Sequence, residues 1–504
     1  MPEQLILGCT MPIACPGLGD FHPFECSNSQ SWAVRLSSGS AGGFPRFGLP
    51  RATICEQFCS IFSTCYDYKA NCFVARLLPS QMIDQVQTTR LNNGLTILTE
   101  HMPGLRSISL GIWVRRGSRH ESPAQNGICH FIEHGLFKGT ERRTARQIAT
   151  ESDRLGGHLD AYTAHEITGF ALKVVDTALP QAFDLLADMI RNPRFEESDL
   201  KREQQVIIEE MKMIEDTPDE LLTELFHAAY FPGHSLGRPI EGTAQTVSSF
   251  DHATTANFHS ENYSAHNLVV AAAGNVLHAQ LVDLAAETFR NGRNGPPEAA
   301  QATAPAPAAP ILIERKSELE QAHLILAAPW PSAISDDRYA ASMLGTVIGG
   351  GTSSRLWQSI REERGLAYSI GAGGNTFSDV GMFTIYAGAS PSNLDQVLDL
   401  SLKEMRRAVR EPISADEMQL AKEQAISSVL LSLESSGARA GALARQEIIH
   451  GRWFSPEEII GRIQAVTPEA ALRVAQACFT TPALALGALG NLNGFAVDRS
   501  RLEI

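Results

Sequence analysis

Between Asn291 and Pro310 the chain reads NGRNGPPEAAQATAPAPAAP, so crowded with Gly, Pro and Ala that it serves as a semi-rigid linker. The sequence on either side repeats itself. Upstream, Phe170-Ala-Leu-Lys-Val-Val ends a strand pattern and precedes a helix carrying Phe183, Leu186 and Ile190, an acidic turn and the helix KREQQVI. Downstream, Phe383-Thr-Ile-Tyr precedes a helix carrying Val397, Leu400 and Met405, another acidic turn and the helix AKEQAI. Matching order and spacing across a linker predict a duplicated domain. Each copy mixes strands with helices without strict alternation, which favours an α+β fold over a doubly wound sheet. RLNNGLTILTE carries an Asn-Gly hairpin turn, and SISLGIWV alternates like a half-buried strand.

The expected organisation is a weakly structured, cysteine-containing extension over 1–81, a domain over 82–290, the linker 291–310 and a homologous domain over 311–504. Seven of the nine cysteines fall in the extension (Cys9, Cys15, Cys26, Cys55, Cys59, Cys65, Cys72), leaving Cys129 and Cys478 for the rest. No C-x-x-C pair is present, which argues against a small zinc module. Leu5-Ile6-Leu7-Gly8-Cys9 lacks the basic and apolar flanks of a lipoprotein signal, and Met-Pro-Glu is a poor opening for a transit peptide. Met82 is the working start of the folded chain. With 43% hydrophobic and 19% charged residues the chain is globular in composition, and no run of 18 apolar residues predicts a membrane span. A formal net charge of −14 leaves no basic stripe for nucleic acid. Thiol distribution and missing signals favour the cytoplasm, with the mitochondrial matrix as the alternative.

Chemistry concentrates at His130-Phe131-Ile132-Glu133-His134, an H-x-x-E-H pattern with Ile128, Phe131, Ile132 and Leu136 in helical period around it. Histidines four apart share one helix face, about 5 to 6 Å apart, close enough to grip one metal ion with Glu133 beside them. A second helix follows Asp199. At 100° per residue, Val206, Ile207, Ile208, Met211 and Ile214 define its buried face, and Glu203 and Glu210 fall inside that stripe while Glu209 points away. Buried carboxylates with no Arg or Lys on the same face call for a cation. Two histidines and one carboxylate, with water in the fourth position, make a catalytic zinc site. Glu203 and Glu210 are about 10.5 Å apart along the axis, so one is a ligand and the other a support, and spacing alone does not choose between them.

HFIEHGLFKGT, GGHLDAYTAHEITGF, EQQVIIEEM, HSLGRPIEGT and GGGTSSRLWQSIREERGLAYSI together resemble the pitrilysin/insulinase metallopeptidases, the inverted zincins. Within that family the resemblance is strongest to the processing-peptidase β branch and its bacterial relatives, from about residue 88 to the C-terminus. It implies a clam-like chamber of two homologous domains, each a mostly antiparallel sheet with helices packed on it, and one Zn2+ per chain held by His130, His134 and Glu210. Glu133 would be the general base and Glu203 the supporting carboxylate. Arg361 and Tyr368, from the second half, would reach the substrate, and Asp160, Ala161 and Tyr162, on a strand over Leu159 to Thr163, would bind the peptide. Aligning Glu203 with Glu423 sets Leu430 opposite Glu210, so the second half would hold no metal.

The implied activity is a zinc-dependent endopeptidase cleaving unfolded or presequence-like peptides; the alternative is a non-catalytic core or scaffold subunit that binds peptides. A homodimer or a heterodimer with a paralogue is expected. Two positions depart from the family pattern: Asp160 where Asn is usual, and Gly135 where Met is usual. Three look-alikes are set aside: His165-Glu166 lacks the second histidine of H-E-x-x-H, Gly349-Gly350-Gly351 lacks a Gly-Lys, and His158 has no partner at ligand spacing.

Overall fold

A computed structural model of the chain describes residues 86–290 and 304–504. The expectations for the cysteine-containing extension, and for the linker as far as residue 303, lie outside the described residues. Residues 304–310 carry neither helix nor strand. There the Ala308 N–H donates to the Tyr230 carbonyl, and the Pro310 carbonyl accepts from Leu486 N–H.

The first sheet contains β1 (Val86–Arg90), β2 (Thr96–His101), β3 (Ser107–Val114), β4 (Leu159–Thr163), β5 (Thr168–Val175) and β6 (Leu268–Gly274). β1 and β2 form the expected hairpin, with Gly94 at φ 89° in a conformation that glycine adopts without strain. The second sheet contains β7 (Ile311–Arg315), β8 (Ala322–Trp330), β9 (Ala367–Thr376), β10 (Gly381–Ala389) and β11 (Ala485–Gly490). Sheet orders are β1-β2-β6-β3-β5-β4 and β7-β11-β8-β10-β9. Without β1 the two orders correspond strand for strand. Each sheet has one parallel pair, β2–β6 and β7–β11, and is otherwise antiparallel.

Helices of the first half are α1 (Ile128–Leu136), α2 (Ala145–Arg154), α3 (Leu179–Arg191), α4 (Glu197–Glu215), α5 (Pro218–Tyr230), α6 (Ala244–Ser248), α7 (His252–Asn262) and α8 (His278–Thr288). Those of the second are α9 (Arg338–Gly349), α10 (Leu394–Arg410), α11 (Ala415–Ser432), α12 (Ser436–His450), α13 (Pro456–Gln464) and α14 (Pro468–Cys478), with a π-helical turn at Trp357–Glu362. Phe183, Leu186 and Ile190 of α3 pack with Phe131 and Ile132 of α1 on one face of the first sheet. Val397, Leu398 and Met405 of α10 do the same on the second. The duplicated strand-helix-helix unit legible in the sequence is β5-α3-α4 and β10-α10-α11.

The opposite face of each sheet is covered by a helix from the other half. Ala440, Leu443 and Ala444 of α12 pack on Leu98, Trp113, Val269 and Ala271 of the first sheet. Leu222, Phe226 and Tyr230 of α5 pack on Ile325, Ala327, Met382 and Leu489 of the second. This corrects the half-buried reading of SISLGIWV. All of β3 except Ser107 is buried, and Ser109, on the face expected to meet water, instead shares a 2.9 Å hydrogen bond with Ser436 of α12. The cross-half contacts are ion-paired as well. Glu447 of α12, buried, meets Arg90 and Arg115 at 2.9 Å each, and Arg439 pairs with Glu100.

Candidate metal centre

The helix that carries the histidine pair is fixed at its first turn. Gly127, at φ 94°, caps α1 where a Cβ would stand 2.4 Å from the Glu241 carbonyl oxygen. The buried Glu121 carboxylate accepts from the N–H groups of Gly127 (2.8 Å) and Cys129 (2.9 Å) and from Asn126 Nδ2 (3.2 Å), placing negative charge at the helix N-terminus. Burial pushes Glu121 up, and the donors from Cys129, Gly127 and Asn126 pull against it. Arg238 Nη2 donates to the Glu121 carbonyl and Asn126 Nδ2 to that of Pro239, so HSLGRPIEGT buttresses the start of α1. Sequence reasoning missed Glu121, because a helix cap seven residues upstream of its helix has no local signature.

Ile128, Phe131, Ile132 and Leu136 of α1 are fully buried, which turns His130, Glu133 and His134 to the remaining face. The His130 and His134 rings are 4.6 Å apart between centroids at 76°. Glu210 of α4 meets them: its Oε2 is 3.9 Å from His130 Nε2 and 3.7 Å from His134 Nε2, and the three ligand atoms lie within 4.8 Å of one another. Donors bound about 2 Å from one tetrahedral ion stand roughly 3.4 Å apart, so this N, N, O set fits a zinc ion after small side-chain adjustments. Burial, and the neighbouring His134, hold His130 down to about 4, which keeps it neutral and able to donate a lone pair.

Glu203 does not join this set. Its carboxylate accepts from Lys138 Nζ at 2.7 Å and lies 3.1 Å from His134 Nδ1, which turns His134 Nε2 towards Glu210. The cation that a buried Glu203 requires is therefore supplied in part by Lys138, outside its own helix. Burial opposes the charged form of His134, yet Glu203 and the charges of Glu210 and Glu133 raise its pKa. Glu203 is 5% exposed, as the helical wheel predicts, and Glu209 is exposed. Val206, expected in the buried stripe, is 42% exposed.

Glu133 Oε2 accepts from Thr163 Oγ1 at 2.6 Å. Burial pushes its carboxyl up, and Thr163 works against that. Thr163 ends β4, an edge strand paired only with β5, so its outer row of backbone groups is open beside Glu133. On β4 Asp160 and Tyr162 are exposed and Ala161 half-buried; the Tyr162 hydroxyl accepts from Trp113 Nε1 at 3.2 Å. Arg361 lies on the π-helical turn with its guanidinium 4.1 Å from the Trp357 ring centroid and 5.4 Å from that of Tyr368, which is 77% exposed on β9. Among the described residues no hydrogen bond, ion pair or ring contact joins Arg361 or Tyr368 to the histidine cluster.

Gly135 has a packing reason. A Cβ there would stand 2.9 Å from the Phe195 ring, which fills the space, and Phe195 itself is held at φ 47°. The look-alikes also have structural partners. His165 Nδ1 pairs with Ser118 Oγ at 2.9 Å, and Glu166 accepts from Arg119 at 2.8 Å and from Ser378 Oγ at 2.6 Å. His158 is exposed, and Gly349 abuts Ala372.

Comparison with known proteins agrees with this layout. Residues 96–244 match the insulinase (peptidase family M16) domain, and residues 249–425 match the peptidase M16 inactive domain. An uncharacterized zinc protease of Streptomyces coelicolor is 39% identical over 402 residues, covering 78% of this chain and 87% of that protein. The uncharacterized zinc protease YmxG of Bacillus subtilis is 37% identical over 77% of this chain and 94% of its own length. A third, from Rickettsia bellii, is 35% identical over 82% of this chain and 100% of its length. Among solved structures, a protease from Helicobacter pylori matches with a TM-score of 0.76 and 21% identity, covering 80% of this chain and 99% of that one. A chain of complex III2 from Candida albicans matches with a TM-score of 0.72 and 22% identity, covering 83% and 100%. The fold is the two-domain α+β architecture of M16 peptidases. The chain belongs to the pitrilysin (insulinase, M16) peptidase family.

Proposed function

We propose that the chain is a zinc-dependent endopeptidase that cleaves unstructured peptides. The observation that carries this reading is the convergence of His130, His134 and Glu210 within 4.8 Å, with Glu133 on the same helix face. His130, His134 and Glu210 would hold one zinc ion per chain. A zinc ion held there would supply Lewis-acid chemistry, acidifying water and polarising a peptide carbonyl. Glu133 takes the proton from the attacking water and hands it to the leaving amine, and its burial raises its affinity for that proton. Glu203 fixes the His134 ring. The peptide lies as an added strand on the open edge of β4, where Asp160, Ala161 and Tyr162 offer backbone groups with little demand on side-chain identity. Tyr368, with Arg361 stacked behind it, orients the substrate from the second half.

The test is zinc content of the purified chain together with hydrolysis of a quenched peptide library, beside Glu133→Gln. The variant should keep its zinc and lose activity by at least about 100-fold. A zinc-loaded wild type that cleaves no peptide in a broad library would sink the peptidase reading and favour a peptide-binding core subunit.

A further inference from the structure

The duplication puts a second copy of the site's framework in the other half. In chain order and sheet order, α9, α11 and β9 correspond to α1, α4 and β4. Together with α12 they line an open cavity of about 810 Å3. Its charge is the inverse of the first half's. Where the histidine cluster is surrounded by Glu133, Glu203 and Glu210, this cavity is lined by Arg338, Arg445 and His450 and by no aspartate or glutamate among the described residues.

In a chain with a net charge of −14, many arginines pair with a carboxylate. Arg119, Arg143, Arg355, Arg439 and Arg501 each face at least one. Nearer the cavity, Arg452 and Arg462 share Glu458. Arg338 donates only to the Ser335 carbonyl and the Tyr339 hydroxyl, its guanidinium 4.6 Å from the Tyr339 ring centroid. Arg445 makes no hydrogen bond or ion pair among the described residues. Burial holds the half-buried His450 below its ordinary pKa, and the charges of Arg338, Arg452 and Arg445 add to that. Two guanidiniums with no carboxylate partner thus line one cavity, and a carboxylate is the group their charge and donors suit. Trp330, Met343, Ile449 and Ile463 give the lining an apolar part, beside the polar Ser342, Thr346, Gln424 and Gln446. Gly373 and Gly374 belong to β9, the outermost strand of its sheet, and a Cβ at Gly373 would meet open space, so an extended backbone can approach there.

We propose that this cavity binds the C-terminal carboxylate of a peptide between Arg338 and Arg445, with the terminal apolar side chain against Trp330 and Met343. The proposal stands whether or not the histidine cluster hydrolyses anything, because its readout is binding. The probe is N-acetyl-Leu-Phe as the free acid and as the C-terminal amide, titrated calorimetrically into the full zinc-loaded chain and into Arg445→Gln and Arg338→Gln. The free acid should bind about tenfold or more tightly than the amide, and each variant should erase most of that difference. Arg445→Lys should restore part of it, and unchanged thermal melts would show the variants folded. Equal binding of acid and amide overturns the proposal. So does acid binding that survives both variants, which would place the carboxylate at the histidine cluster, and so does displacement of the peptide by millimolar inorganic phosphate, which would leave a general anion site.

Discussion

At the scale of single residues, Glu203 and Glu210 are alike in the helical wheel and differ in what surrounds them. Glu210 is partly open to the site and faces both histidines, whereas Glu203 is buried between His134 and Lys138. Nothing local to α4 separates them, since Lys138 and His134 come from another part of the chain. Glu203→Gln keeps the shape of the side chain but loses its charge on Lys138 and its grip on His134. Zinc affinity, measured by competition with a chelator, should fall about 10- to 100-fold, with activity recovered at saturating zinc. Glu210→Gln should lose zinc and activity together, and equal effects of the two substitutions would refute the division of roles. Gly135 supplies a second residue-scale prediction. Gly135→Met drives a side chain into the Phe195 ring and should cost about 2 kcal/mol in denaturant unfolding. In the double variant Gly135→Met with Phe195→Gly, the new side chain gains room and position 195 loses its φ 47° strain, so the total should be smaller than the sum of the single losses.

At the scale of elements, the histidine helix is held at both ends by carboxylates. Glu121 holds its start. Past its end, the turn that leads to α2 is held by Asp188 of α3, a buried carboxylate that accepts from Thr140 Oγ1 (2.7 Å), Arg143 Nη1 (2.7 Å), Arg142 Nε (3.0 Å) and Asn192 Nδ2 (3.0 Å). Burial alone would raise the Asp188 pKa, but these donors overcome it and hold the group down at about 2 against an ordinary 3.8. Because the folded carboxyl takes up its proton at lower pH than the unfolded one, its contribution is complete above about pH 4 and fades as pH falls towards 2. Asp188→Asn should therefore be less stable than wild type by a constant margin near neutral pH, and the gap between their melting temperatures should narrow below about pH 4. A gap that is flat to pH 2 would contradict it. The strand and helix patterns of these elements were legible because each element's own face is apolar at its own period. What covers the far side of β3 was not, since the residues that exclude water from Ser109 belong to α12, more than 300 positions away.

At the scale of the whole molecule, the duplication was legible from the matched β5-α3-α4 and β10-α10-α11 patterns, but the exchange of helices between the halves was not. By chain order α5 and α12 belong with their own halves. Each instead closes the sheet of the other half. A half expressed alone would leave one sheet face uncovered, exposing Trp113, Val269 and Ala271 in one case and Ile325, Met382 and Leu489 in the other. Burying each large side chain of that kind contributes about 2 kcal/mol, so the exposed faces would cost either half most of a typical domain's stability. They would also strand buried ions: Arg119 would lose Asp379, and Glu447 would lose both of its arginines. Residues 82–290 and 311–504, produced separately, should each be aggregation-prone and without cooperative unfolding, and should recover zinc binding and a single cooperative melt only when refolded together. If 82–290 alone melts cooperatively and binds zinc at wild-type affinity, the helix exchange is a surface contact and not the joint that makes the two halves one folding unit.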